Sequence, residues 1–359
     1  MSLAENYISK LKTNSLVLED EESKQSFLNF CIKTRTASFF LGKACKDFKF
    51  AMNNQDFRES LLLTQKKALQ NQASLKSFLK LVNANNIDIC LLKGSYMANF
   101  VYPNFTMRTM RDIDVLVEET SFLRIINIML ANGYSFLNSK TNKLKKFNFS
   151  FSHQAPILID KFGTAFEIHH RVKRFPEVKN SDHLAKKLMQ SKRKKKIFDL
   201  MVNVPNVNFA FIHCCYHAIW KGQLNIGPIF LCDLLQFKNI INDNVLEDAR
   251  KVNCLKEVEL GLNLLRYLQD FEVSNEKQVK EAIEILIYCH NMPEYVPRKR
   301  FKLRTAKDSY AYNSLTFSKK TFLKFKLKRI FMFCKSYILR FNLRQKRSRF
   351  FKDFSNKEY

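Results

Sequence analysis

Asp112 and Asp114 flank one isoleucine in the run Asp112-Ile113-Asp114-Val115-Leu116-Val117, which is apolar enough to form a mostly buried strand. Side chains on a strand alternate faces, so both acids project to one side while Ile113 and Val115 enter the opposite packing layer. Two carboxylates pointing together repel, and a fold that keeps both usually places a cation between them. Hard oxygen ligands suit Mg²⁺, with Mn²⁺ as the alternative, completed by substrate phosphates. A later strand, Thr164 to His170, puts Ala165, Glu167 and His169 on a common face. Glu167 can therefore be the third carboxylate, and Asp112, Asp114 and Glu167 together make a two-metal catalytic site. His169 shares that face, where it either orients the metal site, touches phosphate or only hydrogen-bonds a neighbour. Asp160 is the competing third acid, but it falls at a strand end beside a turn, where a solvated aspartate is ordinary.

Lys93-Gly94-Ser95 follows a short apolar strand and opens a helix. Glycine lets the backbone approach a phosphate closely, and a helix N-terminus offers free N–H donors to an anion. Lys93 and Ser95 add side-chain contacts. Either motif alone is weak, since an isolated Asp-x-Asp or Gly-Ser is common. Their order carries the inference: strand, Gly-Ser, helix, strand with paired acids, then a strand with one more acid.

The elements that must position these residues form the only mixed α/β part of the chain. Ile87, Ile89, Leu91 and Leu92 read as the first strand, followed by a helix that stops near Pro103. Ser121 to Ala131 reads as a helix with Thr120 or Ser121 as N-cap and Gly133 closing it. Ala155 to Asp160 and Thr164 to His170 read as a strand pair turned through Lys161-Phe162-Gly163. The rest reads as helix. Leu61, Leu62, Leu69, Leu75, Phe78, Leu79 and Leu81 recur at roughly helical spacing in a packing segment before residue 86. From about residue 176 the pattern is helical again, broken around Asn225 to Pro228, with Lys192 to Lys196 as a solvated basic run. With only 7 Gly and 7 Pro in 359 residues, turn formers are scarce, which favours an α+β chain with a small mixed sheet among many helices. The expected segments are a helical region 1–86, a catalytic core 87–175, a helical domain 176–290 and a basic, aromatic-rich helical region 291–359.

At this level Leu91-Leu92-Lys93-Gly94-Ser95, Tyr102-Pro103, Arg108, Asp112 to Val117 and Phe166-Glu167-Ile168-His169 resemble the bacterial nucleotidyltransferase family known as NTP transferase family 5. His213-Cys214-Cys215-Tyr216-His217 with Trp220, and Leu231-Cys232-Asp233-Leu234, resemble that family's helical region. The resemblance implies a DNA polymerase β-like nucleotidyltransferase core, Mg²⁺ and an NTP donor such as ATP. It carries the acidic triad to Asp112, Asp114 and Glu167, the phosphate turn to Gly94 and Ser95, and a nucleotide-binding arginine to Arg108. Two features depart from the pattern. Sixteen residues separate Ser95 from Asp112, which implies a longer connecting loop, and Arg111 stands where relatives often carry glycine. The acceptor implied is a hydroxyl on a small molecule, a glycan or a protein.

The formal net charge of +28 comes from 61 Lys and Arg against 33 Asp and Glu, and it favours polyanionic partners without choosing among them. Residues 291–359 hold 20 Lys and Arg against 4 Asp and Glu. That stretch reads as a solvated cationic layer, a nucleic-acid contact or an anionic-membrane contact. No stretch of about 20 apolar residues exists, so no transmembrane segment is expected. No signal peptide is apparent, and the 9 Cys show no paired spacing, so reduced thiols and a cytoplasmic location, in part peripheral to a membrane, are expected. His213 and His217 are four apart but lack a zincin glutamate, so they read as a packed pair. Trp220 reads as a packing residue. Against nucleotidyl transfer stand two other readings: transfer of a glycosyl group from a nucleotide-linked donor in the same site, and a catalytically inactive nucleic-acid-binding scaffold.

Overall fold

The computed structural model describes residues 3–13, 21–42, 53–137, 152–173 and 182–288. The basic segment 291–359 and its expected helices lie outside the described residues.

At the centre is a five-stranded mixed sheet in the order β1-β2-β5-β4-β3. Strand β1 is Ile89–Leu91, β2 Asp112–Val117, β3 Ser135–Phe136, β4 Leu158–Ile159 and β5 Ala165–His169. Only the central pair, β2 and β5, runs parallel; β1 joins β2, β4 joins β5 and β3 joins β4 antiparallel. The strands that carry the acids are thus neighbours in the interior of the sheet. One face of each enters the core, through Ile113, Val115, Phe166 and Ile168, all without exposed surface.

That core face is covered by two helices. The long helix, Gln55–Ala84, is labelled α4 because Leu3–Thr13 (α1), Glu21–Thr34 (α2) and Ala37–Gly42 (α3) precede it. Asn54 caps it, its side-chain oxygen accepting from the Phe57 amide at 2.9 Å. Phe57, Leu61, Leu75, Phe78, Leu79 and Val82 form its buried stripe, and the Phe78 ring lies 5.1 Å from that of Phe166. Leu62 and Leu69, expected in this stripe, are 63% and 60% exposed, because they fall on the helix face away from the sheet. Helix α5, Lys93–Phe100, connects β1 to the approach to β2. Helix α6, Glu119–Ala131, buries Phe122, Ile125, Ile126 and Met129. It starts two residues or so before the expected caps: Glu118 holds the cap position and no side chain caps the helix. Gly133 ends it at φ +85°, a conformation open to glycine at little cost.

Beyond the sheet, the helical region contains α7 (His183–Gln190), α8 (Val207–Cys215), α9 (Ile229–Phe237), α10 (Val245–Lys251), α11 (Leu255–Tyr267) and α12 (Glu276–Tyr288). The basic run 192–196 is largely exposed, as expected, but it lies on a strand and not in a helical pattern. Arg193–Ile197 is β6, paired antiparallel with β7, Leu200–Val204, in a two-residue hairpin through Phe198 and Asp199. Both turn residues have positive φ, 51° and 62°, as such a turn requires. Lysines expose the edge while Val202 and Val204 face inward. Among the described residues no helix is long and apolar enough to cross a membrane. Tyr7, Phe27 and Phe40 form an aromatic cluster in the first helices, and the Tyr7 hydroxyl lies 3.6 Å from Cys232 Sγ of α9, so the N-terminal helices share one core with the helical region. Trp220 packs on that core as expected.

Candidate functional site

Parallel pairing sets the site. Asp114 is the register partner of Glu167, and Asp112 that of Ala165. Side chains at paired positions stand side by side on one face of the sheet, so Asp112, Asp114, Glu167 and His169 lie together opposite the buried Ile113, Val115, Phe166 and Ile168. Asp114 Oδ1, Glu167 Oε2 and His169 Nε2 form a cluster whose ligand atoms all lie within 4.8 Å of one another. His169 Nε2 is 2.9 Å from Asp114 Oδ1 and 3.4 Å from Glu167 Oε2.

Lys93 brings a positive charge to the same oxygens. Its Nζ contacts Asp114 Oδ1 and stands 3.7 Å from Glu167 Oε2. It reaches them from the first residue of α5, where its backbone takes φ +43°, rare for a residue with a Cβ. The turn before it is locked to β2: the Leu92 amide donates to the Asp114 carbonyl at 3.0 Å. Ser95, fully buried, has its hydroxyl 2.7 Å from the Leu92 carbonyl and 3.0 Å from the Asp114 carbonyl. The Ser95 hydroxyl therefore holds the strand–helix turn together, and what the turn presents to the cleft is backbone and Lys93. The first intrahelical bond runs from the Tyr96 amide to the Leu92 carbonyl. Gly94 fits beneath Met110: a Cβ there would stand 3.1 Å from Met110 Cγ.

The charges are unequal. Burial raises the Asp112 pKa to about 7, helped by the Asp114 and Glu167 charges. Burial also works against ionised Asp114, yet Lys93 and His169 hold it well below the usual carboxylate range. Glu167 is lowered too, against its own burial, chiefly through its hydrogen bond from His169. Lys93 is raised because Asp114 and Glu167 outweigh its desolvation. The residues fit a divalent cation. The Asp114 and Glu167 oxygens already converge on the Lys93 ammonium, while Asp112 shares their face but stands outside that cluster, and a dication there would favour the ionised form of Asp112 that burial disfavours.

Arg108 is placed differently from the acids. Its Nε donates to Asp233 Oδ1 at 2.7 Å and its Nη2 to Asp233 Oδ2 at 2.9 Å, while the Tyr102 hydroxyl donates to Asp233 Oδ1 at 2.7 Å. This buried fork ties the loop before β2 to α9. Asp160 serves its own turn. Its Oδ1 accepts from the Phe162 and Thr164 amides at 2.9 and 2.8 Å, closing the connection from β4 to β5.

The acids open into a cleft of about 550 Å³ whose walls come from three parts of the chain. The helical region supplies His213, His217 and Lys221. Of these, His217 and Lys221 lie on a π-helical turn, Tyr216–Lys221, that continues α8. Burial, then the Lys93 charge, holds both histidines well below the ordinary imidazole range. His153, from the loop before β4, bridges this wall to the acids: its Nε2 is 3.0 Å from Lys221 Nζ and its ring 5.6 Å from that of His169. The N-terminal helices supply Arg35, which sits in the cleft with Arg111 and Asp112. The pattern of the sequence finds the acids, Lys93 and His169, but not Arg35, His153 or Lys221. An isolated arginine between two helices carries no periodic or spacing signal.

A family described as uncharacterised nucleotidyltransferases matches residues 20–270, a span that contains every residue of this site, and the chain belongs to that family. No curated protein matches the chain.

Proposed function

We propose that this nucleotidyltransferase-family chain moves a nucleotidyl group from an NTP to a hydroxyl acceptor, using Mg²⁺ or Mn²⁺ held by Asp112, Asp114 and Glu167 on a polymerase β-like core. The observation that carries this reading is the pairing of Asp114 with Glu167 on one face of the sheet, two residues from Asp112 and open to a basic cleft. In the reaction the acceptor oxygen bonds to the α-phosphorus, the bond to the bridging oxygen of the β-phosphate breaks, pyrophosphate leaves and the hydroxyl proton passes to water. Cations held by Asp112, Asp114 and Glu167 would neutralise charge on the phosphoryl oxygens and favour the ionised acceptor hydroxyl.

The protein's own residues do the rest. Lys93 stands against Asp114 and Glu167, from where its ammonium would reach a phosphate oxygen if those carboxylates held a dication. The N–H groups at the start of α5 face the same anion. His169 keeps Asp114 oriented through its Nε2. Arg108 serves from behind, fixing through Asp233 the loop that delivers Asp112.

The test is intact-mass analysis of candidate acceptors incubated with the protein, Mg²⁺ or Mn²⁺, and each NTP or NDP-sugar in turn. Added nucleotide mass is expected. Added sugar mass would instead assign glycosyl transfer from a nucleotide-linked donor. No added mass, with no metal-dependent nucleotide binding by calorimetry, would leave an inactive scaffold.

A further inference from the structure

Three guanidinium groups gather at the Asp112 side of the cleft: Arg35, Arg108 and Arg111. Only one has a partner of its own. Arg108 is held in a two-point fork by Asp233 and is buried. Neither Arg35 nor Arg111 makes an ion pair or side-chain hydrogen bond with any described residue. Arg111 is exposed, whereas Arg35 is partly buried, a costly setting for an unpaired cation.

The backbone itself fixes Arg35 there. It is the single residue joining α2 to Thr36 and α3, with φ +63°, outside the range most side chains adopt. Its amide donates to the Ile32 carbonyl at 3.0 Å, and its carbonyl accepts from Thr109 Oγ1 at 3.3 Å. Thr109 lies between Arg108 and Met110, so Arg35 is tied to the loop that leads into Asp112. Burial, then repulsion from Arg111 and Arg108, pulls the Arg35 pKa down to about 10. The Asp112 and Asp233 carboxylates offset part of this, but the group stays partly desolvated beside two like charges in the same cleft, which a multiply charged anion would relieve.

We infer that Arg35 and Arg111 form an anion clamp that takes the two distal phosphates of the NTP and holds them as pyrophosphate while it leaves. This rests on the nucleotidyl-transfer reading and adds to it a residue from the N-terminal helices. Arginine suits such a clamp because its planar donors meet two phosphate oxygens at once. The clamp also gives the leaving group a position on the Asp112 side of the cleft, beside the two arginines.

The experiment uses the full chain with Mg²⁺ and compares wild type, Arg35→Met, Arg111→Met and the double variant. Calorimetry measures a non-hydrolysable ATP analogue and AMP, and thermal melts are run with and without inorganic pyrophosphate. Loss of a charge-assisted contact should weaken the triphosphate analogue by about tenfold or more in each single variant, with AMP affinity little changed. Pyrophosphate should raise the melting temperature of wild type and not of the double variant. Without ligand, Arg35→Met should melt higher than wild type, because it removes an unpaired, partly buried charge; a purely structural arginine would give the opposite shift.

Unchanged binding of the triphosphate analogue by Arg35→Met would overturn the clamp, as would equal losses for AMP and the analogue. A double variant still stabilised by pyrophosphate would place that anion elsewhere and also overturn it. If wild type binds neither the analogue nor pyrophosphate, the nucleotidyl-transfer reading falls as well. That result differs from failure of the clamp alone, in which wild type and variants bind equally.

Discussion

Asp114 and Glu167 stand side by side as register partners across the parallel pair β2–β5, and one histidine nitrogen lies within 3.4 Å of an oxygen of each. Parallel pairing is what brings them together, because an acid two residues up one strand and an acid on the next strand then share a face without any loop between them. The arrangement makes the third carboxylate a property of register rather than of loop conformation.

The first prediction follows from that register. Asp112→Asn, Asp114→Asn and Glu167→Gln should each lower turnover about a thousandfold or more, since each removes charge from the metal-binding set. Asp160→Asn should leave turnover near wild type, because asparagine keeps the oxygen that accepts from the Phe162 and Thr164 amides. Steady-state rates measured side by side, with circular dichroism to confirm folding, check this. An active Asp114→Asn protein, or an inactive Asp160→Asn protein, would redraw the site.

A second prediction concerns pH in metal-free protein. The folded-state pKa of Asp112 is about 7, above its unfolded value of 3.8, so the folded state binds this proton more tightly. The stability it contributes is full below about pH 4 and is lost as pH rises to 7. Asp114 and Glu167 are lowered and act in the opposite sense, their stabilisation being lost only as pH falls below the ordinary carboxylate range. Between pH 4 and pH 8 the wild-type protein in chelator should therefore lose up to a few kcal/mol through Asp112, at about 1.4 kcal/mol per unit before solvent screening. Asp112→Asn should flatten this slope and melt higher than wild type at pH 8, despite being inactive. Saturating Mn²⁺ should reverse the wild-type trend, because the cation favours the ionised form. Denaturant midpoints across pH, with and without metal, provide the measurement, and a wild-type slope unchanged by Asp112→Asn would contradict the assignment.

The Arg108–Asp233 fork supplies a third. Both side chains are buried, and breaking such a pair strands the surviving charge. Asp233→Leu or Arg108→Met alone should cost about 3–5 kcal/mol, whereas the double variant should recover much of the loss because no buried charge remains. Urea titrations of the four proteins give the coupling energy. Additive losses would mean that the two residues act independently, and the loop before β2 would need another anchor.

How legible this was in the sequence depends on the period that carried each element. The acids, Glu167 and His169 were readable because strand alternation fixes their face whatever the tertiary partner. The α+β class was readable for the same reason, since the apolar alternation of the central sheet falls between residues 87 and 170. The β6–β7 hairpin was hidden because Arg193, Lys194, Lys195 and Lys196 offer no apolar alternation; its inward residues sit on the second strand. Leu62 and Leu69 misled because leucine stabilises a helix even on its solvent face. Arg35 and Lys221 were invisible for a different reason. They reach the cleft through long-range packing of helices that bear no local mark of the site.

The last prediction separates two reasons for a glycine at position 94. An added Cβ would stand 3.1 Å from Met110 Cγ, the middle of a flexible side chain that can give by a few tenths of an ångström. Gly94→Ala should therefore be mild in stability, while Gly94→Val adds a branch that presses on Met110 and stands in the path of a phosphate approaching the start of α5. Pairing Gly94→Val with Met110→Ala makes room on the packing side only. If close backbone approach is the need, this double variant regains thermal stability over Gly94→Val but still binds a non-hydrolysable NTP weakly. Ser95→Ala should show the reverse pattern. Its hydroxyl is engaged with the Leu92 and Asp114 carbonyls, so removing it should cost about 1 kcal/mol of stability and little nucleotide affinity. Melting temperatures and calorimetric affinities for the four variants decide the matter. Wild-type NTP affinity in the Gly94→Val, Met110→Ala protein would show that glycine is there for Met110, and that the phosphates are gripped by side chains instead.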